Sequence, residues 1–463
     1  MKHFKPTHRS SRSLTVAGLC VLTAGIALSG QTCPTTDPTS NTNGNDGITG
    51  QFVGSTRCGD CHKTVHTNWM ATLHAGALET LEAIGQGTNE NCIGCHVVGF
   101  GQEGGFVDRA TTNDLAGVGC EACHGPSKAH VDEIENVALR PAKNLAASVC
   151  GQCHTGEHHP TFEEWETAGH AHVTEHPAES FEMGSSLNSC GKCHSGEFFV
   201  RSIVNGETLA DDELLGQTPE EQIAITCAVC HDPHMKTGNA TAPEDGRDYQ
   251  LRFPENLSPT PTNTIDATTN ASRFNVCGQC HHSRGRDWTS TSRGPHHSVQ
   301  ANIYAGEMPM PDSDDDVTPL VPSRVSVHSF AAEQCATCHL YRQDFESEEA
   351  PAIAGHSFDV NTAGCAATGC HPSSEQASAA LTTLQAEVET RLTEYRTRLG
   401  NISTWGYSSE GGPADQSMLS DNIKKARFLI NYVANDGSGG IHNPDYVRDM
   451  LDKIDEYLDA EML

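Results

Sequence analysis

The feature that most constrains this chain is a five-residue pattern, Cys-x-x-Cys-His, that occurs eight times between residues 58 and 339. With 20 Cys and 26 His among 463 residues, chance would produce about 0.05 copies. The text between the copies is not self-similar, which excludes a stacked solenoid. The copies are Cys58, Cys61, His62; Cys92, Cys95, His96; Cys120, Cys123, His124; Cys150, Cys153, His154; Cys190, Cys193, His194; Cys227, Cys230, His231; Cys277, Cys280, His281; and Cys335, Cys338, His339.

In this pattern the two thiols can form thioethers with the two vinyl groups of a haem, and the adjacent His becomes an axial ligand of the iron. Four-cysteine zinc sites do not need a His after every second Cys. A disulfide between cysteines three apart would close a tiny loop with little stabilising value. The pattern therefore predicts covalently attached haem c.

A ninth, enlarged copy follows in the segment CAATGCH, with Cys365, Cys370 and His371. Two extra residues separate its cysteines, but a loop of small residues can bulge and still present both sulfurs to a haem. The alternative is a structural disulfide with an uninvolved His. We predict a ninth haem, so that about nine are attached covalently and together use eighteen cysteines.

The composition favours a core built partly from these cofactors. Only 36% of the residues are hydrophobic and 6% are aromatic, while 43 Gly and 22 Pro interrupt the chain. We expect a mainly α fold with much irregular coil, in which residues 51–372 form a multihaem cytochrome c body organised around stacked covalent haems.

Residues 373–463 differ in character and predict a C-terminal helical bundle. Leu381, Leu384, Val388 and Leu392 follow a helical spacing up to Gly400. A second helix is expected over about 418–433. A third is predicted after Asn443 as cap and Pro444 in the first turn, with an apolar stripe behind them. The bundle could pack on itself, on the body or on another subunit.

The N-terminus indicates export. Residues 1–29 combine a basic start with a short apolar run, which is typical of a secretory signal peptide. Residues 30–50 have the polar composition of a flexible tether, and lipidation of Cys33 is an alternative to a plain N-terminus. We expect a periplasmic or other extracytoplasmic protein, with a possible membrane tether through Cys33.

The formal charge of −31 would repel phosphate backbones, which excludes nucleic acid as an expected partner. The expected partners are redox proteins that donate and accept electrons, and the C-terminal helices could support a homo-oligomer.

A haem iron with one axial protein ligand either takes a second axial ligand or keeps that position open. After the nine motif histidines and two in the leader are subtracted, enough histidines remain to close every site. Met308 and Met310 are alternative ligands in a segment that also suits a turn. The predicted distal ligands are His74, His130, His170, His234, His296, His328 and His356.

The segments RCGDCHKTVHTNWMATLHA, NCIGCHVVGFGQEGGF and LAGVGCEACHGP resemble the start of the cytochrome c-554 family. Members are tetrahaem carriers that take electrons from hydroxylamine oxidoreductase. The resemblance covers about residues 52–130. It implies that His74 is a distal ligand, that neighbouring haems stack in near-parallel and perpendicular pairs, and that an iron above His96 could be open.

These patterns predict an electron carrier with closely spaced, mostly bis-His haems. The alternatives are a multihaem oxidoreductase that acts on a small nitrogen or sulfur species at one five-coordinate haem, and a subunit of a haem filament. No Cys-x-x-Cys-Lys variant of the motif occurs, so the pattern favours a carrier over an enzyme.

Overall fold

Short helices joined by loops make up the part of the chain that carries the motifs. The computed structural model describes residues 51–238, 248–258, 274–311 and 319–463, all within the compact unit Asn41–Leu463. The predicted signal peptide, tether and Cys33 lie outside these residues. The helices before the tail are α1 Ser55–Gly59, α2 Lys63–Met70, α3 Ala77–Ala83, α4 Glu90–His96, α5 Cys120–His124, α6 Lys128–Asp132, α7 Ser148–Gly151, α8 Thr161–Thr167, α9 Glu175–Glu182, α10 Leu187–His194, α11 Gly196–Phe198, α12 Cys227–Cys230, α13 Gln300–Ala305, α14 Cys335–His339 and α15 Thr362–Ala367.

Several of these helices consist of little more than a motif. Helices α5 and α14 begin at the first Cys of a motif and end at its His. In a helical turn, residues three apart lie on one face, so the two thiols point the same way and the His follows directly. Gly125 ends α5 at a φ of 75°, which favours a residue without Cβ. The motif therefore fixes both the local helix and its short length.

The described residues contain no named strand, and their β-structure is limited to four isolated bridges. A π-helix, Phe199–Val204, continues α11. Short 3₁₀ turns fill several loops, at Asn113–Leu115, Val137–Leu139, Gly169–Ala171, Val327–Phe330, Ile402–Thr404, Ser408–Glu410 and Gln416–Met418. The predicted mainly α fold is confirmed.

Three longer helices form the C-terminal region: α16 Ser374–Leu399, α17 Asp421–Asn435 and α18 Pro444–Ala460. The first ends at Gly400 and the third is capped by Asn443, whose side chain accepts from the backbone N–H of Tyr446, as the sequence predicts. The second begins three residues later than expected, because Ser420 caps it through the N–H of Ile423 and Met418 lies in a 3₁₀ turn.

The C-terminal helices pack on each other and on the body. Leu384, Val388, Leu451 and Ile454 share one hydrophobic cluster with residues of all three helices. The same cluster includes Trp288, Val299, Ile303, Met308, Leu320 and Val321 from the body. Met308 is thus a buried core residue. Among the described helices, none has both the length and the apolar character of a membrane span.

A buried arginine also ties the tail to the body. Arg427 on α17 is fully buried and donates to the carbonyl oxygens of Gly406 at 2.8 Å and Ser290 at 3.0 Å. It also donates to Oε1 of Gln416 at 2.7 Å, and its guanidinium lies 4.0 Å from the ring centroid of Tyr407. The two terminal nitrogens of the guanidinium therefore have several acceptors and an aromatic face, while its buried Nε has no hydrogen-bond partner among the described residues.

The substitution Leu451→Ala should lower the free energy of unfolding by about 2 to 5 kcal/mol, because it opens a cavity in this shared cluster. Denaturant unfolding followed by helix circular dichroism measures the change. Leu215 is 63% exposed, so Leu215→Ala is a matched control that should leave the curve nearly unchanged. Equal effects of the two substitutions would contradict the assignment of the cluster as a core.

Candidate haem sites

Six motif histidines face a second histidine at nearly one fixed distance. In each pair the ring centroids are 6.1 to 6.3 Å apart, although the angles between ring planes vary from 10° to 82°. Each pair joins one motif histidine to one histidine outside the motifs. The pairs are His154 with His74, His124 with His234, His281 with His170, His194 with His296, His231 with His356, and His339 with His442.

This distance fits an iron between the rings. Two metal–nitrogen bonds of about 2 Å each, plus about 1 Å from each nitrogen to its ring centre, add to roughly 6 Å. Stacked histidine rings in direct contact lie closer, as His296 and His297 do at 4.1 Å, whereas the 6 Å spacing is kept here even when the rings are nearly parallel. A spacing that recurs while the ring angles vary indicates room for one atom on a common axis, so the histidines fit two axial positions of a haem.

The ring nitrogens are arranged for ligation at Nε2. The Nδ1 atoms of His231 and His339 lie 2.7 and 2.8 Å from backbone carbonyl oxygens. A carbonyl only accepts, so Nδ1 carries the proton and Nε2 keeps its lone pair for a metal. The same contact is made to carbonyls by His96 at 2.8 Å, His124 at 3.0 Å, His328 at 2.8 Å and His356 at 3.0 Å.

Burial keeps several of these imidazoles neutral. It lowers the pKa of His154 and of His170 to about 4, and that of His296 to about 3. The first cause in each case is removal of the ring from water, and neighbouring histidines lower the pKa further. A metal ligand must be deprotonated at the ligating nitrogen, and these rings meet that requirement at neutral pH.

Two further motif histidines, His371 and His96, each have a histidine neighbour, but no ring contact is described for either pair. Burial lowers the pKa of His328, and nearby His371 and His442 lower it further. Burial likewise lowers the pKa of His159, and nearby His96 lowers it further. His328 is thus close to the ninth motif, and His159 to the second.

The structure brings most of the predicted distal residues next to a motif histidine. His74, His170, His234, His296 and His356 each belong to a 6 Å pair. The exception among the seven is His130. Its Nδ1 is buried without a hydrogen-bond partner, and the described residues give it no ring pairing with a motif.

Sequence reasoning missed His442 and His159. His442 lies in the C-terminal region, far along the chain from the eighth motif that it faces. No local spacing connects the two, and only the packing of the tail on the body brings them together. His159 follows the fourth motif closely but lies near His96 of the second motif, a proximity that spacing in the sequence does not suggest.

The first and ninth motifs differ from the rest. Cys61 is disulfide-bonded in the structure, so attachment of a haem at the first motif would require reduction of this bond before the thioether forms. Cys365 and Cys370 carry no disulfide, so the alternative of a bridge within the ninth motif has no support. A zinc site needs several donors around one point, and in the part of the chain that is described no group of three or more His, Cys, Asp or Glu is arranged so.

Thiols of different motifs contact each other. These side-chain contacts join Cys58 to Cys120, Cys95 to Cys153, Cys150 to Cys227, Cys193 to Cys280, Cys277 to Cys335, and Cys338 to Cys365. Backbone geometry agrees, since Sγ of Cys280 lies 3.6 Å from the carbonyl oxygen of Lys192. Thiols of the third and fourth motifs, and of the sixth and seventh, interact electrostatically. The motifs therefore form one connected set.

Comparison with known proteins places similar sequences among the cytochromes. Residues 57–125 match the family model of cytochrome c554 and c-prime. The chain is 38% identical over 92 residues to cytochrome c-554 of Nitrosomonas europaea. That match covers 17% of this chain and 39% of the relative, so the chain spans well under half of that protein's length.

Solved structures extend the similarity to most of the chain. The outer cell wall cytochrome OcwA is 19% identical, with a TM-score of 0.56 over 88% of this chain and 100% of that one. The undecaheme cytochrome from the S-layer of Carboxydothermus ferrireducens is also 19% identical, with a TM-score of 0.56 over 89% of this chain and 70% of that one. At this identity the comparison shows a common fold.

The chain shares its fold with these multihaem cytochrome structures, and its repeated motifs suit the attachment of haem c. The segment with the first three motifs is similar to the cytochrome c-554 family, as the sequence predicts.

The double substitution Cys365→Ser, Cys370→Ser should remove one covalent haem from the matured protein, because it deletes both attachment sulfurs of the ninth motif. Intact-protein mass spectrometry measures the number of haem groups retained. The same change at Cys335 and Cys338, in a regular motif, is the matched control and should also remove one. An unchanged haem number in the first variant would show that CAATGCH attaches no haem.

Proposed function

We propose that this protein is an extracytoplasmic electron carrier in which about nine covalent haems, mostly with two axial histidines, lie in close succession between redox partners. The single observation that carries the proposal is the recurrence of histidine pairs at 6.1 to 6.3 Å. An iron with both axial positions filled by protein exchanges electrons without binding a substrate, which favours transport over catalysis.

The residues that would hold the haems are the two cysteines and one histidine of each motif. The distal positions would be filled by His74, His234, His170, His296, His356 and His442 in the six pairs. By proximity, His328 is assigned to the ninth motif and His159 to the second. When bound, haem supplies an iron that alternates between the ferric and ferrous states.

The contacts between thiols, together with the electrostatic interactions that connect the third motif to the fourth and the sixth to the seventh, support an order of the sites. The first, third, fourth, sixth, seventh, eighth and ninth motifs follow one another, while the second adjoins the fourth and the fifth adjoins the seventh. When the sulfurs of two motifs are in contact, the haem edges that would be attached to them lie side by side. A line of seven sites with two side sites is therefore the arrangement that we propose for electron movement.

The protein contributes orientation and surroundings to each site. Phe358 illustrates this role at three sites. Its ring lies 4.5 Å from that of His170 and 5.9 Å from that of His356, and its carbonyl oxygen is 2.8 Å from Nδ1 of His339. One residue thereby helps to orient the axial ligands of the sixth, seventh and eighth sites.

Location and partners follow from several observations. The two structural neighbours are an outer cell wall cytochrome and an S-layer cytochrome. Together with the leader-like residues 1–29, they support export of this chain. The charge of −31 favours cationic partners, whether donor or acceptor.

The substitution His74→Ala should leave the iron at His154 without its distal ligand. About one ninth of the haem would then convert from low spin to high spin. Absorption and electron paramagnetic resonance spectra measure the fraction. His176→Ala, at an exposed histidine of α9, is the matched control and should leave the spectra unchanged. Unchanged spectra for His74→Ala would contradict the assignment of this pair.

The unsubstituted protein distinguishes a carrier from an enzyme. A carrier should take up about nine electrons in a reductive titration and should not change its spectrum when nitrite or hydroxylamine is added. A high-spin fraction that shifts with either compound would instead favour an oxidoreductase, and regular fibres in electron micrographs would favour a filament subunit.

A further inference from the structure

One of the paired histidines differs from the others in its hydrogen-bond partner. Nδ1 of His442 lies 2.6 Å from Oδ1 of Asp436, whose side chain has no exposed surface. Asp436 directly follows helix α17, and His442 precedes helix α18. The loop between these two helices thus brings a buried carboxylate against the ring that faces His339 in the eighth site.

The local structure holds the carboxylate in place. The hydroxyl of Ser438 donates to the other carboxylate oxygen of Asp436, and it also accepts from the backbone N–H of His442 at 3.2 Å. Nε2 of Gln300, on the body, donates to the backbone oxygen of Asp436 at 3.1 Å. Gly437 follows with a φ of 72°, which lets the chain turn back. The side chain is therefore fixed by both the tail and the body.

The other paired or motif histidines with a described Nδ1 hydrogen bond face neutral oxygens. Nδ1 of His234 also lies 3.8 Å from Oδ1 of Asp232, which is beyond hydrogen-bond distance and at a partly exposed side chain. Besides the carbonyl contacts described above, His296 faces the hydroxyl of Ser298 at 2.9 Å, His194 that of Thr174 at 3.2 Å, and His281 the amide oxygen of Gln300 at 3.3 Å. Among these described Nδ1 hydrogen bonds, the carboxylate of Asp436 is the only charged acceptor, and it is fully buried.

An anionic hydrogen-bond acceptor changes the donor strength of a histidine ligand. It draws the Nδ1 proton toward itself, increases the electron density at Nε2, and so makes the imidazole a stronger donor to a metal. A stronger donor and a nearby negative charge both stabilise ferric over ferrous iron. Because the carboxylate is buried, water screens this effect only weakly.

We propose that Asp436, acting through His442, makes the eighth site the hardest of the paired sites to reduce. This inference rests on the proposed function, because it takes His442 to be a ligand. The thiol contacts place the eighth site between the seventh and the ninth, so the ninth site would exchange electrons with the line only across this unfavourable step. Asp436 would thus be a positioning and tuning residue that separates the terminal site from the rest.

The test is the substitution Asp436→Asn, which keeps an oxygen for the hydrogen bond but removes the charge. Redox titration followed by electron paramagnetic resonance should show that one site becomes easier to reduce. The equilibrium constant for its reduction should rise about tenfold or more, the scale of other outer-shell changes, while the remaining sites stay unchanged. Asp436→Glu should restore the original behaviour in part. Ser298→Ala, beside His296, removes a neutral partner and should produce a smaller change.

A second variant covers the case in which Asp436→Asn does not mature. Ser438→Ala removes a hydrogen bond that draws charge from the carboxylate, so the same site should become harder to reduce. Opposite shifts in the two variants would not arise from a merely structural role. Titrations of Asp436→Asn, or of Ser438→Ala, that superimpose on the unsubstituted protein would overturn the inference.

The substitution His442→Ala separates this inference from the proposed function. It should convert one low-spin signal to high spin, and that signal identifies the eighth site in the titrations. If no signal changes, His442 is not a ligand and the proposed pairing fails. If the signal changes but Asp436→Asn shifts nothing, the pairing stands and only the inference about Asp436 is wrong.

Discussion

The paired histidines are the constraint on which the rest of the structure depends. Each pair joins segments that lie roughly 80 to 125 residues apart in sequence, so each closes a long loop. Motif helices of four to eight residues could not be stable alone. Their positions are set by a partner ring far along the chain, and the iron that we place between the rings would supply the energy of that contact.

The chain therefore has two kinds of core. The tail has an ordinary hydrophobic core. Its three amphipathic helices bury leucine, valine and aromatic side chains together with body residues such as Val299 and Ile303. The described residues of the body otherwise form small clusters, for example the one around Phe181, Leu187 and Leu214. That division matches the low hydrophobic content of the sequence, and it explains why His442 can be delivered to a body site by a rigid, well-packed tail.

Much of this architecture could be predicted because its determinants are local. The motif fixes its own helical turn, and Gly400, Asn443 and Pro444 mark helix ends through backbone geometry and capping. Candidate distal histidines were predictable as a group, since the number of histidines far exceeds what the motifs use. Their pairing with particular motifs was not, because His442 faces His339 and His159 lies near His96, and no spacing in the sequence connects either pair. Such pairings depend on the path of the whole chain, as does the buried carboxylate of Asp436.

The most direct test of the central claim is an experimental structure of the matured protein with the iron positions located by anomalous scattering. The account predicts an iron close to the midpoint of each of the six histidine pairs, bonded to both rings, and further irons at the remaining motifs. Irons at the motif histidines whose other axial position is held by water or left open, with His74 and His442 turned away, would contradict it.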